Sequence, residues 1–223
     1  MRTKSEIISL LTEPGIIAVV RAPKMEHVLP LSEALIAGGV LAVEVTMTTP
    51  QALEAIRETK ERLGSRALIG VGTVLNAETC RQAIAAGAEF VVSPITKAEI
   101  LEAAHAADRP VMLGAYTPTE AQAAHELGSD FIKIFPADGL GPGYIKALRA
   151  PLPHLRIVPT GGVDLNTAAD FIKAGCVALG AGSSLVPAKL LNDGNWGELT
   201  RLAKAFVEVV RAAGLDEVAL ARV

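Results

Sequence analysis

Residues 67–94 read "ALIGVGTVLNAETCRQAIAAGAEFVVSP". The stretch opens with a short apolar run, 67–72, and ends with another, 90–94. Both have the length and β-branched character of buried strands. Between them, 76–87 opens on Asn76, runs through alanine-rich helical spacing and closes on Gly87, which are helix-cap signals at both ends. Strand, helix, strand in so short a span is one turn of a parallel α/β fold.

The same unit recurs in both directions along the chain. Strand-like runs lie at 16–21, 41–47, 67–72, 90–94, 111–115, 131–136, 156–162 and 177–182. Helical patterns lie between them at 25–39, 49–64, 76–87, 96–108, 117–128, 141–150 and 164–175. Pro30 predicts a kink in the first of these. Strands recur roughly every 20–27 residues, about one βα unit. Eight units in 223 residues predict a single (β/α)8 TIM barrel spanning 1–223. An open doubly wound sheet is the alternative, but its first βα turn usually carries a glycine-rich dinucleotide loop, and the turn here is "RAPKME". A further helix at 4–13 is placed to cover the barrel's N-terminal mouth. Another, at 196–214, carries an apolar stripe suited to packing, and the tail after Gly214 is left open between order and fraying.

Composition narrows the function. Half of the residues are hydrophobic and the formal net charge is −3, which speaks against a nucleic-acid partner. No apolar run reaches the roughly 18 residues of a membrane span, and the N-terminus lacks a signal-peptide pattern. With two cysteines, Cys80 and Cys176, the expectation is reduced thiols in a cytoplasmic protein. The four histidines, His27, His105, His125 and His154, are expected at the surface. None belongs to a metal-ligand cluster at the catalytic face, which argues against a metal-dependent enzyme.

Strand alternation then locates charge. In "FIKIF" (131–135), Ile132 and Ile134 suit the helix-packed outside, so Phe131, Lys133 and Phe135 face the barrel interior. In "LAVEVTM" (41–47), Val43 and Val45 face outward and Glu44 and Thr46 inward. Strand one is ambiguous, but Arg21 stands at its C-terminal end, where barrel active sites are built. Lys133 and Glu44 could simply neutralise each other as a buried pair. Against that, one net positive charge remains for an anion. Desolvation also favours the free amine that attacks a carbonyl. A lysine nucleophile beside a carboxylate is a Schiff-base constellation. Strands seven and eight end in "PTGGVDLN" (159–166) and "LGAGSSLV" (179–186). Such turns can be tight connections only, or a phosphate cradle at the place where this fold often has one.

Several ordered segments together resemble the family of 2-dehydro-3-deoxyphosphogluconate and 4-hydroxy-2-oxoglutarate aldolases. They include "AGGVLAVEVTMTTP", "IGVGTVLN", "FVVSPI", "FIKIFPAD", "GPGYIKALRAPLP", "VPTGGV" and "GSSLV". The resemblance implies a cofactor-free class I aldolase that forms pyruvate from a 2-keto-3-deoxy sugar acid phosphate, assembled as a homotrimer. It implies Lys133 as the Schiff-base lysine and Glu44 as the acid/base. It also implies Thr73 and Thr160 on the substrate carboxylate and hydroxyls, and Pro94 and Phe135 lining the pocket. Gly161, Gly162, Gly182 and Ser183 would hold the phosphate. Two departures bear on specificity. Some members carry arginine where Thr48 stands here, and Arg21 would then bind the carboxylate or phosphate from another strand. Many carry proline where Leu113 stands. A 2-dehydro-3-deoxy-6-phosphogalactonate aldolase, a sugar-phosphate isomerase or epimerase, a flavin or phosphometabolite binder, and a structural subunit are the rival readings.

Overall fold

The computed structural model describes residues 2–214, so the tail after Gly214 lies outside the described residues. Eight strands form one parallel sheet: β1 (Ile16–Val20), β2 (Ala42–Thr46), β3 (Leu68–Gly72), β4 (Val91–Val92), β5 (Val111–Ala115), β6 (Phe131–Ile134), β7 (Ile157–Pro159) and β8 (Leu179–Ala181). The helices are α1 (Lys4–Thr12), α2 (Val28–Ala37), α3 (Ala52–Leu63), α4 (Ala77–Ala85), α5 (Ala98–His105), α6 (Pro118–Glu126), α7 (Gly141–Arg149), α8 (Ala168–Lys173), α9 (Ala188–Asp193) and α10 (Trp196–Ala212). Neighbouring strands run β7-β6-β5-β4-β3-β2-β1-β8. A Thr160–Gly180 bridge and a Val177 N–H bond to the Ile157 carbonyl join β7 to β8. The expected (β/α)8 barrel is therefore present.

Side-chain alternation splits the apolar residues into two cores. Ile132, Ile134, Val43 and Val45 belong to the layer between strands and helices. Phe131, Phe90, Met112, Ile17 and Leu68 fill the lower barrel interior, where Ile7 and Leu11 of α1 join them. Helix α1 thus closes the N-terminal mouth. It starts on a capping box in which Thr3 and Glu6 satisfy each other's backbone, and each buried Leu or Ile contributes roughly 1.5–3 kcal/mol. Gly70 makes room inside: a Cβ there would lie 2.4 Å from the Phe90 ring.

Some local expectations change. Pro30 does not interrupt the helix. A 3-10 turn over Met25–His27 precedes α2, and Pro30 falls in the first helical turn, where a missing N–H costs little. Helix α8 starts at Ala168 and not at 164, because the Asp164 carboxylate accepts the amides of Asn166 and Thr167 and makes a turn first. Two histidines are half-buried, not superficial. His27 packs edge-on against Trp196, and His105 lies 2.8 Å from Asp130 and 2.9 Å from Lys4. Helix α9 was not anticipated. Both cysteines are free and buried, and burial pushes the Cys80 thiol up to about 11.

Candidate active site

The C-terminal ends of the strands surround a cavity of about 700 Å³. Every residue singled out from the sequence as a site candidate lines it: Arg21, Glu44, Thr73, Pro94, Lys133, Phe135, Thr160, Gly161, Gly162, Gly182 and Ser183. Strands β2 and β6 stand on opposite sides of the barrel in the strand order, so Glu44 and Lys133 meet across its interior. Lys133 Nζ lies 3.9 Å from Glu44 Oε1, and the two residues are 6% and 2% exposed. That separation is an ion pair but not a hydrogen bond.

Glu44 Oε1 is buried and has no hydrogen-bond partner. Burial raises the Glu44 pKa above the usual carboxylate range, against the smaller opposing pull of Lys133 and Arg21. The Lys133 ammonium stands 5.0 Å from the centre of the Phe135 ring, within cation–π range. Phe135 itself is 39% exposed at the mouth, just past the end of β6.

The surrounding backbone is shaped to admit these groups. A Cβ on Gly72 would stand 1.8 Å from Glu44 Oε1, and one on Gly180 would stand 2.3 Å from Thr160 Oγ1. Thr73 has φ 62°, left-handed backbone that is uncommon for a β-branched residue. Strain of this sort concentrates at functional sites. Gly161 and Gly162 also have positive φ, 95° and 67°, and a Cβ on Gly162 would approach Asp138 Cα to 2.7 Å. The turn after β8 begins at Gly182, whose carbonyl accepts from Val186 N–H at 2.8 Å. The Ser184 hydroxyl donates to the Val163 carbonyl and ties the two glycine turns together. The first amides of such a turn have no partner within it, which suits an anion.

Sequence reasoning missed part of the wall. Asp164 lines the cavity, as do Ala188 and Leu191 of α9. Asp164 was hidden as an ordinary helix-start residue. Gly72 was hidden because its role depends on Glu44, far away in sequence. Leu113, the second departure, faces the outer core and is absent from the cavity wall. Among the described residues, no three His, Cys, Asp or Glu side chains gather to hold a metal ion.

The model of the family described as KDPG and KHG aldolase matches residues 7–202. The chain belongs to this family. It is thereby a lyase of the class I aldolase kind. The 2-dehydro-3-deoxy-phosphogluconate aldolase of Pseudomonas aeruginosa is 36% identical over 206 residues, covering 92% of this chain and 93% of that protein. A solved structure described as native KDPGal is 35% identical with a TM-score of 0.83, covering 89% of this chain and 95% of that one. The KDPG aldolase of Legionella pneumophila, solved with pyruvate captured as a covalent carbinolamine intermediate, is 30% identical with a TM-score of 0.81. It covers 90% of this chain and 97% of its own.

Proposed function

We propose that this aldolase cleaves 2-dehydro-3-deoxy-6-phosphogluconate to pyruvate and glyceraldehyde 3-phosphate. 4-Hydroxy-2-oxoglutarate, which yields pyruvate and glyoxylate, is a second substrate of the same pyruvate-forming chemistry. The observation that carries the reading is the buried Lys133 paired with Glu44 Oε1, which accepts no hydrogen bond, at the floor of an anion-friendly cavity.

Lys133 Nζ attacks the C2 ketone and water leaves, forming an iminium between Nζ and C2. The iminium draws electrons from the C3–C4 bond. Glu44, through a bridging water, accepts the C4 hydroxyl proton as that bond breaks. The aldehyde departs, the remaining enamine takes a proton at C3, and hydrolysis of the iminium frees pyruvate and Lys133. A carboxylate with a raised pKa suits this traffic, because it holds and releases a proton nearer to neutral pH. Positive charge on the nitrogen is also favoured by the face of Phe135.

In this reading Thr73 and Thr160 hold the carboxylate and hydroxyls, Arg21 binds the carboxylate or the phosphate, Pro94 and Phe135 shape the wall, and Gly161, Gly162, Gly182 and Ser183 offer backbone and hydroxyl donors to the phosphate. The enzyme works as a single-domain barrel in the cytoplasm and assembles as a homotrimer, as the resemblance to its family implies. A light-scattering mass other than that of three chains overturns the assembly.

The decisive test is pyruvate with borohydride. Reduction of the imine leaves a stable adduct on Lys133, seen by intact mass and peptide mapping. Lys133→Ala loses the adduct and nearly all cleavage. Wild-type protein that turns over substrate but forms no adduct overturns the Schiff-base mechanism. The relative kcat/KM on the gluconate-derived substrate, its C4 epimer and 4-hydroxy-2-oxoglutarate then ranks the substrates. A best substrate other than the gluconate-derived one overturns the stated preference.

A further inference from the structure

Arg21 is held by a run of threonines that the reaction scheme does not use. Thr46, Thr48 and Thr49 follow Glu44 at the end of β2, in the segment "TMTT". Thr46 Oγ1 lies 3.1 Å from the Val20 carbonyl, Thr46 Oγ1 and Thr48 Oγ1 are 2.8 Å apart, and Arg21 Nε reaches Thr48 Oγ1 at 3.1 Å. Thr49 Oγ1 accepts from the Ala22 amide at 3.2 Å. The backbone on both sides of Arg21 is therefore gripped, and so is its side chain.

The donors in this chain follow from valence. A carbonyl only accepts, so Thr46 spends its one proton on Val20. The bond between the two hydroxyls must then be donated by Thr48. Thr48 Oγ1 is left to accept from Arg21 Nε–H, which can only donate. Each hydroxyl gives one bond and receives one, and the direction runs from guanidinium to β1 carbonyl without a mismatch. Thr46 and Thr49 are buried, while Thr48 and Arg21 are exposed, and Arg21 lies on the cavity wall. Among the described residues, no carboxylate stands within ion-pairing distance of Arg21. Asp164, the other carboxylate on the cavity wall besides Glu44, is occupied by the Asn166 and Thr167 amides. The terminal guanidinium nitrogens remain for an anion, and a guanidinium fork recognises carboxylate or phosphate through paired N–H bonds.

We propose that Thr48, backed by Thr46, is a positioning residue that aims Arg21 at an anionic group of the substrate and so tunes substrate binding. The inference rests on the aldolase reading. It assigns to a threonine the task of orienting a cation delivered from β1.

The test is steady-state kinetics in the condensation direction, with pyruvate and glyceraldehyde 3-phosphate varied separately. Losing a hydrogen bond to a charged group should raise one KM by about tenfold in Thr48→Val. kcat should change much less, and the melting temperature should stay close to wild type, because Thr48 is exposed. Thr48→Ser keeps the hydroxyl and restores KM. In an Arg21→Ala background, Thr48→Val adds nothing further. A rise for pyruvate assigns Arg21 to the carboxylate, and a rise for the aldehyde assigns it to the phosphate. Unchanged KM for both, or an equal Thr48→Val effect without Arg21, overturns the positioning role. Pyruvate trapping of the wild type runs alongside: an untrapped wild type overturns the aldolase reading itself, whereas a trapped wild type with unresponsive Thr48 variants overturns only this inference.

Discussion

A Cβ on Gly72 would lie 1.8 Å from Glu44 Oε1 and 2.6 Å from its carboxyl carbon. Only a turn of Glu44 itself relieves that contact, and the atoms it would displace are those proposed to move the proton. Glycine at this position is therefore a condition for the carboxylate to stand where it does, 3.9 Å from Lys133. Gly72→Ala should leave the fold intact, since one methyl can be met by turning Glu44 away. It should lower kcat by about 10²-fold or more, the low end of what acid/base help supplies. Pyruvate should still be trapped on Lys133, because the atoms nearest the new methyl all belong to Glu44. Measuring kcat and the borohydride adduct on the same preparation separates the two effects, and a kcat equal to wild type would falsify the steric account. Thr73 follows in the chain with left-handed backbone, so the β3 terminus combines a forced glycine with a strained threonine.

At the scale of elements, what the sequence disclosed and what it hid divide along a physical line. Period-two alternation is local, so it revealed which face of β2 and β6 each residue occupies. Lys133 and Glu44 were legible for that reason: a charge on the inward face of an apolar strand is conspicuous. Strand β1 was less legible because it is apolar on both faces. The structure resolves it through Ile17 in the lower interior and Val19 on the cavity wall. The cap signals located most helices, yet the starts of α3 and α8 moved inward. Gln51 adopts left-handed backbone with φ 51° before α3, and Asp164 diverts the first amides before α8. These are side-chain and backbone choices made within one turn, finer than a periodic pattern resolves. Helix α9 has only six residues, too short for a helical stripe to stand out. The threonine clasp on Arg21 and the glycine opposite Glu44 join different strands. Only through-space register, Val19 beside Glu44 and Thr46 beside Gly72, brings them together.

Across the whole molecule, the barrel interior changes character with height. The half near α1 is apolar, packed by Phe90, Phe131, Met112 and Leu68. The half toward the strand C-termini holds Glu44 and Lys133, two buried charges that do not hydrogen-bond to each other. Stability and chemistry thus occupy opposite ends of one barrel interior, and the charged end should cost folding energy. The sign follows from Glu44. Its folded pKa is raised, chiefly by burial, so the native state holds this proton more tightly than the unfolded chain. As pH rises from below the unfolded carboxylate value, about 4.3, the unfolded state releases its proton first and native stability declines. The decline is complete once pH passes the folded pKa. Glu44→Gln has no such proton to lose, so its stability relative to wild type should improve between pH 4 and pH 7. Replacing both charges with apolar side chains, Glu44→Leu with Lys133→Met, avoids leaving either one unpaired and should raise unfolding free energy at neutral pH by about 1–4 kcal/mol. Urea unfolding of the three proteins at both pH values checks the argument. A double variant less stable than wild type at pH 7, or a Gln variant whose relative stability worsens with rising pH, would show that the pair supports the fold and that the upper cavity is not strained for catalysis.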